Sequence, residues 1–165
     1  MNNKIYLPNC GIYNDLLIGF FKKTTNMEVI NIKRTNDILT LGNRYSPINM
    51  PIDFKYKLGQ LIVAINNGCT YLLDLETGYL KKYYYLLQIE ILEHLGYTFN
   101  IIKLTNNRYL TVKKIYDFIK ITNPKINIIK FICYYLKLLI EIYIIKKQSK
   151  QKNNKHFKNI KKQTN

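Results

Sequence analysis

Short, almost wholly apolar runs alternate along this chain with longer segments in which apolar residues recur at helical spacing. Residues 12–23 place isoleucine, leucine and phenylalanine on one helical face, whereas residues 69–75 are apolar nearly throughout. A continuous apolar run of that length is typical of a strand buried on both faces of a parallel sheet. The pattern predicts strands at residues 4–7, 27–32, 69–75 and 97–104, and helices at residues 12–23, 38–41, 52–65, 82–95, 111–121 and 126–147.

Strands and helices therefore alternate, with connections of a few residues. This order predicts a Rossmann-like α/β fold, in which a doubly wound parallel sheet of about four strands carries helices on both faces. Thr35 predicts the start of the short second helix and Gly42 predicts its end. The chain divides into an α/β domain over residues 1–124, a C-terminal amphipathic helix over residues 125–147, and a disordered, lysine-rich tail over residues 148–165.

The last predicted helix is apolar enough to require comparison with a membrane span. Within residues 126–145, Lys137 and Glu141 lie one turn apart near the middle and can pair. Because charge near the centre of a bilayer is costly, a buried or partner-facing helix is favoured over a span. We expect this helix to contact a second protein subunit. A peripheral membrane helix followed by a basic tail is the alternative.

The net charge of +16 is concentrated at the C-terminal end. Residues 146–165 contain eight lysines and no acidic residue, which is half of the net charge. Such a segment attracts anionic surfaces, so weak contact with nucleic acid or with an anionic membrane is one prediction. A solvated tail without a partner is the other, and composition favours it.

The number and spacing of the cysteines and histidines indicate the cellular compartment and whether the chain contains a metal-binding pattern. The three cysteines lie far apart without a CxxC pair, which predicts reduced thiols and a cytoplasmic location. The N-terminus lacks the apolar core of a signal peptide. Neither the cysteines nor His94 and His156 form a recognisable zinc pattern.

Two stretches are candidates for binding an anion. The turn Asn9-Cys10-Gly11 lies between the first predicted strand and helix, where an α/β fold offers backbone N–H groups to anions. Its single glycine makes neither a dinucleotide fingerprint nor a Walker A loop. Cys10 is interpreted either as a thiolate at a helix N-terminus or as a structural cysteine. Lys55 and Lys57 lie in the first turns of the helix that follows a loop with two prolines. Their side chains are expected either to contact a phosphate or to lie in solvent.

Three motifs occur in an order that resembles a known family. They are LG-x-x-YSP at residues 41–47, FK-x-x-LG at residues 54–59, and LQ-x-x-IL-x-x-LGY at residues 87–97. With the flanking apolar segments they span residues 4–147. In this arrangement the chain resembles the 2-hydroxyacyl-CoA dehydratase subunit-like proteins, which are also described as CoA-substrate-specific enzyme activase-associated proteins.

The resemblance implies a Rossmann-like fold and, in the family, cysteines that bind a [4Fe–4S] cluster. Pro51 and Tyr79 occupy the positions of those cysteines in this chain, and neither residue is a normal cluster ligand. The resemblance therefore implies a shortened, degenerate member without catalytic residues and without a bound cofactor. The candidate ligand-binding residues are Asn9, Cys10, Gly11, Ser46 and Lys55.

Three functional hypotheses follow. The favoured one is a non-catalytic or accessory member of the dehydratase-like family that pairs with another subunit through its C-terminal helix. The second is an iron–sulfur-binding dehydratase or activase subunit that supplies Cys10 and takes its other ligands from a partner. The third is a basic protein that binds nucleic acid or a membrane surface through its C-terminal tail.

Overall fold

The computed structural model describes the backbone of residues 3–74, 79–103 and 108–163, and the side chains of residues 3–73, 83–102 and 111–149. Within these residues the strands are β1 Lys4–Tyr6, β2 Glu28–Ile30, β3 Cys69–Asp74 and β4 Asn100–Lys103. The helices are α1 Asn14–Thr24, α2 Asn36–Tyr45, α3 Ile52–Asn66, α4 Tyr79–His94, α5 Arg108–Thr122 and α6 Ile128–Gln163. A 3-10 turn, Gly11–Tyr13, precedes α1.

The four strands are parallel and lie in the order β2-β1-β3-β4. Ile5 of β1 pairs with Val29 on one side and with Tyr71 on the other, so β1 is a central strand. Successive residues of a strand point to opposite faces of the sheet, and both faces here are buried because Ile5 packs in one core and Tyr6 in the other. The predicted Rossmann-like α/β fold with a four-stranded parallel sheet is confirmed.

Helices cover both faces of this sheet. On one face, α1, α5 and α6 contribute Phe20, Ile119 and Phe131 to a single apolar core. On the opposite face, α2, α3 and α4 form a second core that includes Leu58 and Leu92, both fully buried. Each helix therefore buries an apolar stripe against the sheet, which is the source of the helical spacing in the sequence.

The prediction that Gly42 ends the second helix is wrong, because α2 continues through Gly42 to Tyr45. Gly42 is buried where α2 crosses α3, and a Cβ built on it would overlap the backbone carbonyl of Lys55. Gly59 on α3 meets the carbonyl of Ile38 in the same way. The two glycines allow the backbones of the two helices to touch, so Gly42 is a packing residue and not a helix stop.

The end of α6 also differs from the sequence prediction. A helix ending at Lys147 and followed by a disordered tail was expected, whereas α6 extends to Gln163. Residues 128–163 contain no glycine or proline, and lysine and glutamine are good helix formers, so no strong helix breaker ends the helix at Lys147. In the part of the chain that the structure describes, no helix has the length and apolar character that a membrane span requires.

Candidate ligand-binding site

The strand order creates a crevice at the carboxyl end of β1. The chain passes from β1 to β2 on one side and later returns to place β3 on the other side of β1. In open α/β sheets, ligands bind at such a switch point, outside the carboxyl ends of the strands. Tyr6, Pro8 and Asn9 lie at this end of β1, and they line a cavity of about 320 Å³.

Four parts of the fold form the walls of this cavity. They are the end of β1 with the loop after it, the loop between β2 and α2, the first turns of α3, and α4. The lining residues are Tyr6, Pro8, Asn9, Arg34, Pro51, Asp53, Phe54, Lys57, Gln60, Tyr84 and Gln88.

Two basic side chains and one acidic side chain line the cavity. Arg34 Nη1 donates to Asp53 Oδ1 at 2.7 Å, and the guanidinium lies 5.3 Å from the centre of the Tyr56 ring. Lys57 Nζ lies 5.0 Å from the centre of the Tyr85 ring. The Arg34–Asp53 pair is exposed, so it contributes at most about 1 kcal/mol to stability. Arg34 and Lys57 thus place two cationic groups at the cavity wall, and cationic groups are the kind that an anionic ligand contacts.

Two buried glutamines form part of the cavity wall. Gln60 Nε2 donates to the Ile32 carbonyl, and Gln88 Nε2 donates to the Phe54 carbonyl at 3.0 Å. Gln88 is only 1% exposed, and its Oε1 atom accepts no hydrogen bond from the described residues. A buried acceptor without a donor destabilises a folded protein by about 1–3 kcal/mol. A ligand that donates to Gln88 Oε1 would therefore satisfy an atom that the described protein groups leave unsatisfied.

Side-chain hydrogen bonds hold the loops at this edge of the sheet. Asn9 Oδ1 accepts from the Gly11 N–H at 2.9 Å. Asn31 Nδ2 donates to the Leu7 carbonyl at 2.8 Å and to Asn14 Oδ1 at 3.2 Å. The end of β1, the start of α1 and the end of β2 are thus joined, which fixes the wall that Asn9 forms.

The structure brings three of the predicted residues to the cavity. Asn9, Pro51 and Lys57 line it, and Pro51 directly precedes α3. Lys55 instead directs Nζ to the Ile48 carbonyl at 3.4 Å. Ser46 follows the last residue of α2, and its buried Oγ has no hydrogen-bond partner among the described residues. Neither Lys55 nor Ser46 is part of the cavity lining.

Cys10 has the environment of a structural cysteine. Its Sγ donates to the Pro8 carbonyl at 3.1 Å, and burial raises the pKa of the thiol above its usual value. Because α1 begins only at Asn14, Cys10 precedes a 3-10 turn and does not lie at the N-terminus of an α-helix. Cys10 and Gly11 also lie outside the cavity lining. These observations favour the structural interpretation of Cys10 over the thiolate.

The cavity does not fit an iron–sulfur cluster. Cluster iron requires thiolate ligands, and no described residue that lines the cavity is a cysteine. Pro51 is one of the two positions at which the family resemblance implied a cluster cysteine. Tyr79, the other, is the first residue of α4, and its side chain lies outside the described residues. Over the described ranges, no group of three or more His, Cys, Asp or Glu side chains is placed to hold a metal ion.

Arg34, Gln60 and Gln88 are among the lining residues that were not predicted as ligand-binding residues. A signal existed for the two glutamines, because each interrupts an apolar helical face, and a buried polar residue is the informative exception to apolar burial. Arg34 lies in the loop before α2, and no sequence pattern connects it with Asp53, nineteen residues later.

The three thiols are expected to react at very different rates. Burial, with a smaller effect of Glu28, raises the pKa of Cys69 to about 11, although Lys4 opposes the shift. At pH 8 about one Cys69 in a thousand is then a thiolate, which is the reactive form. We expect iodoacetamide to modify exposed Cys133 at least about a hundredfold faster than Cys69, with half-buried Cys10 between them. Peptide mass spectrometry measures the rates. Equal rates in the native protein would contradict the described burial, whereas equal rates in urea are expected.

Comparison with known proteins gives no match to any family model, curated protein or solved structure. The geometry of the cavity is therefore the feature of this protein that points to a function. The relation to the dehydratase-like family stays a prediction from three sequence motifs.

Proposed function

We propose that the protein binds a small anionic metabolite that also carries a hydroxyl or amino donor, in the cavity beside β1. The observation that carries this proposal is the buried Gln88 Oε1, an acceptor without a donor among the described residues, in a cavity that also contains Arg34 and Lys57. A carboxylate or phosphate would meet the two cations, and the hydroxyl or amine would donate to Gln88.

The shape of the cavity agrees with a small organic ligand. Its volume of about 320 Å³ is at the lower end of the range for ligand pockets, which suits a small molecule or one end of a larger one. Phe54 and Tyr84 line it and meet edge to face, with ring centres 5.8 Å apart. These rings offer an apolar surface to a carbon skeleton, while the polar groups determine its orientation.

The resemblance to the 2-hydroxyacyl-CoA dehydratase subunit-like family narrows the class of ligand that we propose. A 2-hydroxyacyl-CoA ester has both required features, because the acyl group carries a hydroxyl donor and coenzyme A carries phosphates. We therefore propose a non-catalytic or accessory member of this family, which holds such an ester or the corresponding hydroxy acid. No chemical step is assigned to the cavity residues.

Lys57→Met is expected to weaken ligand binding by at least about tenfold. Hydrogen bonds to charged groups contribute about 1.5–3 kcal/mol, and about 1.4 kcal/mol corresponds to a factor of ten in Kd. The measurement is isothermal titration calorimetry with 2-hydroxybutyrate, 2-hydroxybutyryl-CoA, AMP and inorganic phosphate as probes. The hydroxy acid and its ester are expected to bind more tightly than inorganic phosphate, because phosphate offers an anion without a carbon skeleton that carries a hydroxyl.

Lys55→Met is the matched control. Lys55 has the same charge and lies two residues earlier on α3, but it is not part of the cavity lining. Binding by this variant is expected to stay within about twofold of the wild type. Equal losses in both variants would show that net charge, and not the cavity, attracts the ligand. The absence of saturable binding of every probe to the folded wild-type protein would contradict the proposal.

A further inference from the structure

The α6 helix has two apolar sides. On one side, Phe131 and Leu138 are buried in the core, and Tyr135 and Ile142 pack against it. On the other side, large apolar side chains are 44–66% exposed. These exposed residues, which we call the outer face of α6, are Ile129, Ile132, Leu136, Leu139, Ile140 and Tyr143.

The outer face is continuous. Its members follow one another at intervals of one, three or four residues, and at the helical rotation per residue they fall within a sector of about 100°. None of the charged residues in the described range 128–145, which are Lys130, Lys137 and Glu141, falls in this sector. Scattered exposed apolar residues are ordinary, but a contiguous apolar face on a folded chain marks an interaction surface.

The charge next to the outer face is basic at its C-terminal end. Exposed Lys146 and Lys147 follow it directly, and residues 148–165 add six lysines and no acidic residue. Glu141 is the only acidic residue in the sequence of α6. An apolar face that leads into a run of lysines matches the chemistry of a lipid surface, where acyl chains lie beneath anionic phosphates.

Charges of both signs border the outer face on the side of α1. In the groove between α1 and α6, the lining includes Asp15 and Lys23 of α1 together with Lys137 and Glu141 of α6. These four groups balance in number, and Lys130 is the one further charged residue within residues 128–145, so most of the basic excess of α6 lies at its C-terminal end. Electrostatic attraction is therefore expected to draw that end of α6 to an anionic surface.

We propose that the outer face of α6 docks on the surface of an anionic lipid bilayer. The apolar side chains enter the boundary between headgroups and acyl chains, and the lysines meet the lipid phosphates. Tyr143 suits this depth because its ring is apolar and its hydroxyl is polar. The buried side of α6 stays packed on the α/β body, so the helix lies on the bilayer in the plane of the interface.

A second copy of this chain and nucleic acid each fit only part of this surface. A second copy of α6 would cover the apolar side chains, yet its single acidic residue, Glu141, leaves the eight lysines of residues 146–165 largely uncompensated. Nucleic acid would meet those lysines and leave the apolar side chains in water. An anionic bilayer satisfies both sets of residues.

Vesicle sedimentation with the full chain tests the proposal. The apparent Kd for vesicles of equal parts phosphatidylserine and phosphatidylcholine is expected to be at least about tenfold tighter than that for phosphatidylcholine alone. The triple variant I129Q/I132Q/I140Q is expected to bind the acidic vesicles at least about tenfold more weakly, because three apolar side chains no longer enter the bilayer. The double variant K146Q/K147Q is expected to lose several-fold affinity for acidic vesicles only.

The matched control is I12Q/I48Q/I52Q, which changes three exposed isoleucines outside α6. Its vesicle binding is expected to stay within about twofold of the wild type. The proposal is overturned if the wild type does not bind acidic vesicles, if both triple variants lose binding equally, or if I129Q/I132Q/I140Q binds as the wild type does. It is also overturned if light scattering shows a dimer that this variant dissociates while vesicle binding is absent. Circular dichroism confirms that each variant is folded.

Discussion

Gly42→Ala is expected to lower the free energy of unfolding by about 3 kcal/mol or more, although alanine is the better helix former. A methyl group on Gly42 would occupy the space of the Lys55 carbonyl on α3, so the two helices must move apart or distort. The obstacle is backbone and not a flexible side chain, and the surrounding core cannot adjust by changing a rotamer. Urea unfolding followed by circular dichroism measures the loss.

Gly19→Ala provides the control for helix propensity. Gly19 lies within α1, and a Cβ built there meets nothing within 4 Å. This change is expected to stabilise the protein by about 0.5–1 kcal/mol, because alanine loses less backbone entropy in a helix. Equal stability of Gly42→Ala and Gly19→Ala would contradict the close crossing of α2 and α3 described above.

A double variant examines whether the two glycines act together. Gly59→Ala alone is expected to cost about as much as Gly42→Ala, since its Cβ would overlap the Ile38 carbonyl at the same crossing. The loss in G42A/G59A is expected to be smaller than the sum of the two single losses. Once one added methyl group has moved the two helices apart, the second methyl group has more space.

Phe131→Ala is expected to lower the free energy of unfolding by about 3–5 kcal/mol. Phe131 is 3% exposed on the inner side of α6, and its ring centre lies 5.0 Å from that of Tyr116 and 6.4 Å from that of Phe20. Its removal leaves a cavity between α1, α5 and α6, and it removes aromatic contacts that each contribute about 0.5–1.5 kcal/mol. Chemical denaturation gives the value.

Ile129→Ala is the corresponding control on the outer side of the same helix. Ile129 is 65% exposed, so its truncation is expected to change stability by no more than about 0.5 kcal/mol. The comparison shows which side of α6 is packed on the body. Similar losses in the two variants, or a larger loss for Ile129→Ala, would contradict the described docking of α6.

The cavity and the outer face of α6 belong to different layers of the fold. The cavity is built largely from α3 and α4, whereas α6 packs with α1 and α5 on the opposite face of the sheet. The residues that would hold the anionic ligand are therefore distinct from those that would contact a bilayer. Ligand affinity is expected to be the same for wild type and I129Q/I132Q/I140Q.

The fold class of this protein follows from the apolar pattern of its amino-acid sequence. Apolar periodicity is a local property, because each strand or helix must bury its own apolar side whatever it packs against. The apolar run of β3 and the helical face of α3 were therefore visible in the sequence. Local signals also located the N-cap Thr35, whose Oγ1 accepts from the Ile38 N–H at 3.4 Å, and the break near Asn123 between α5 and α6.

The strand order, the role of Gly42 and the composition of the cavity depend on contacts between segments that are far apart in the chain. Local patterns record that a residue is buried, but not which distant segment covers it. Lys55 and Lys57 are equivalent in the sequence, yet only Lys57 lines the cavity. Gln88 meets the Phe54 carbonyl from 34 positions away in the chain, and that contact exists only because the sheet brings α4 beside α3.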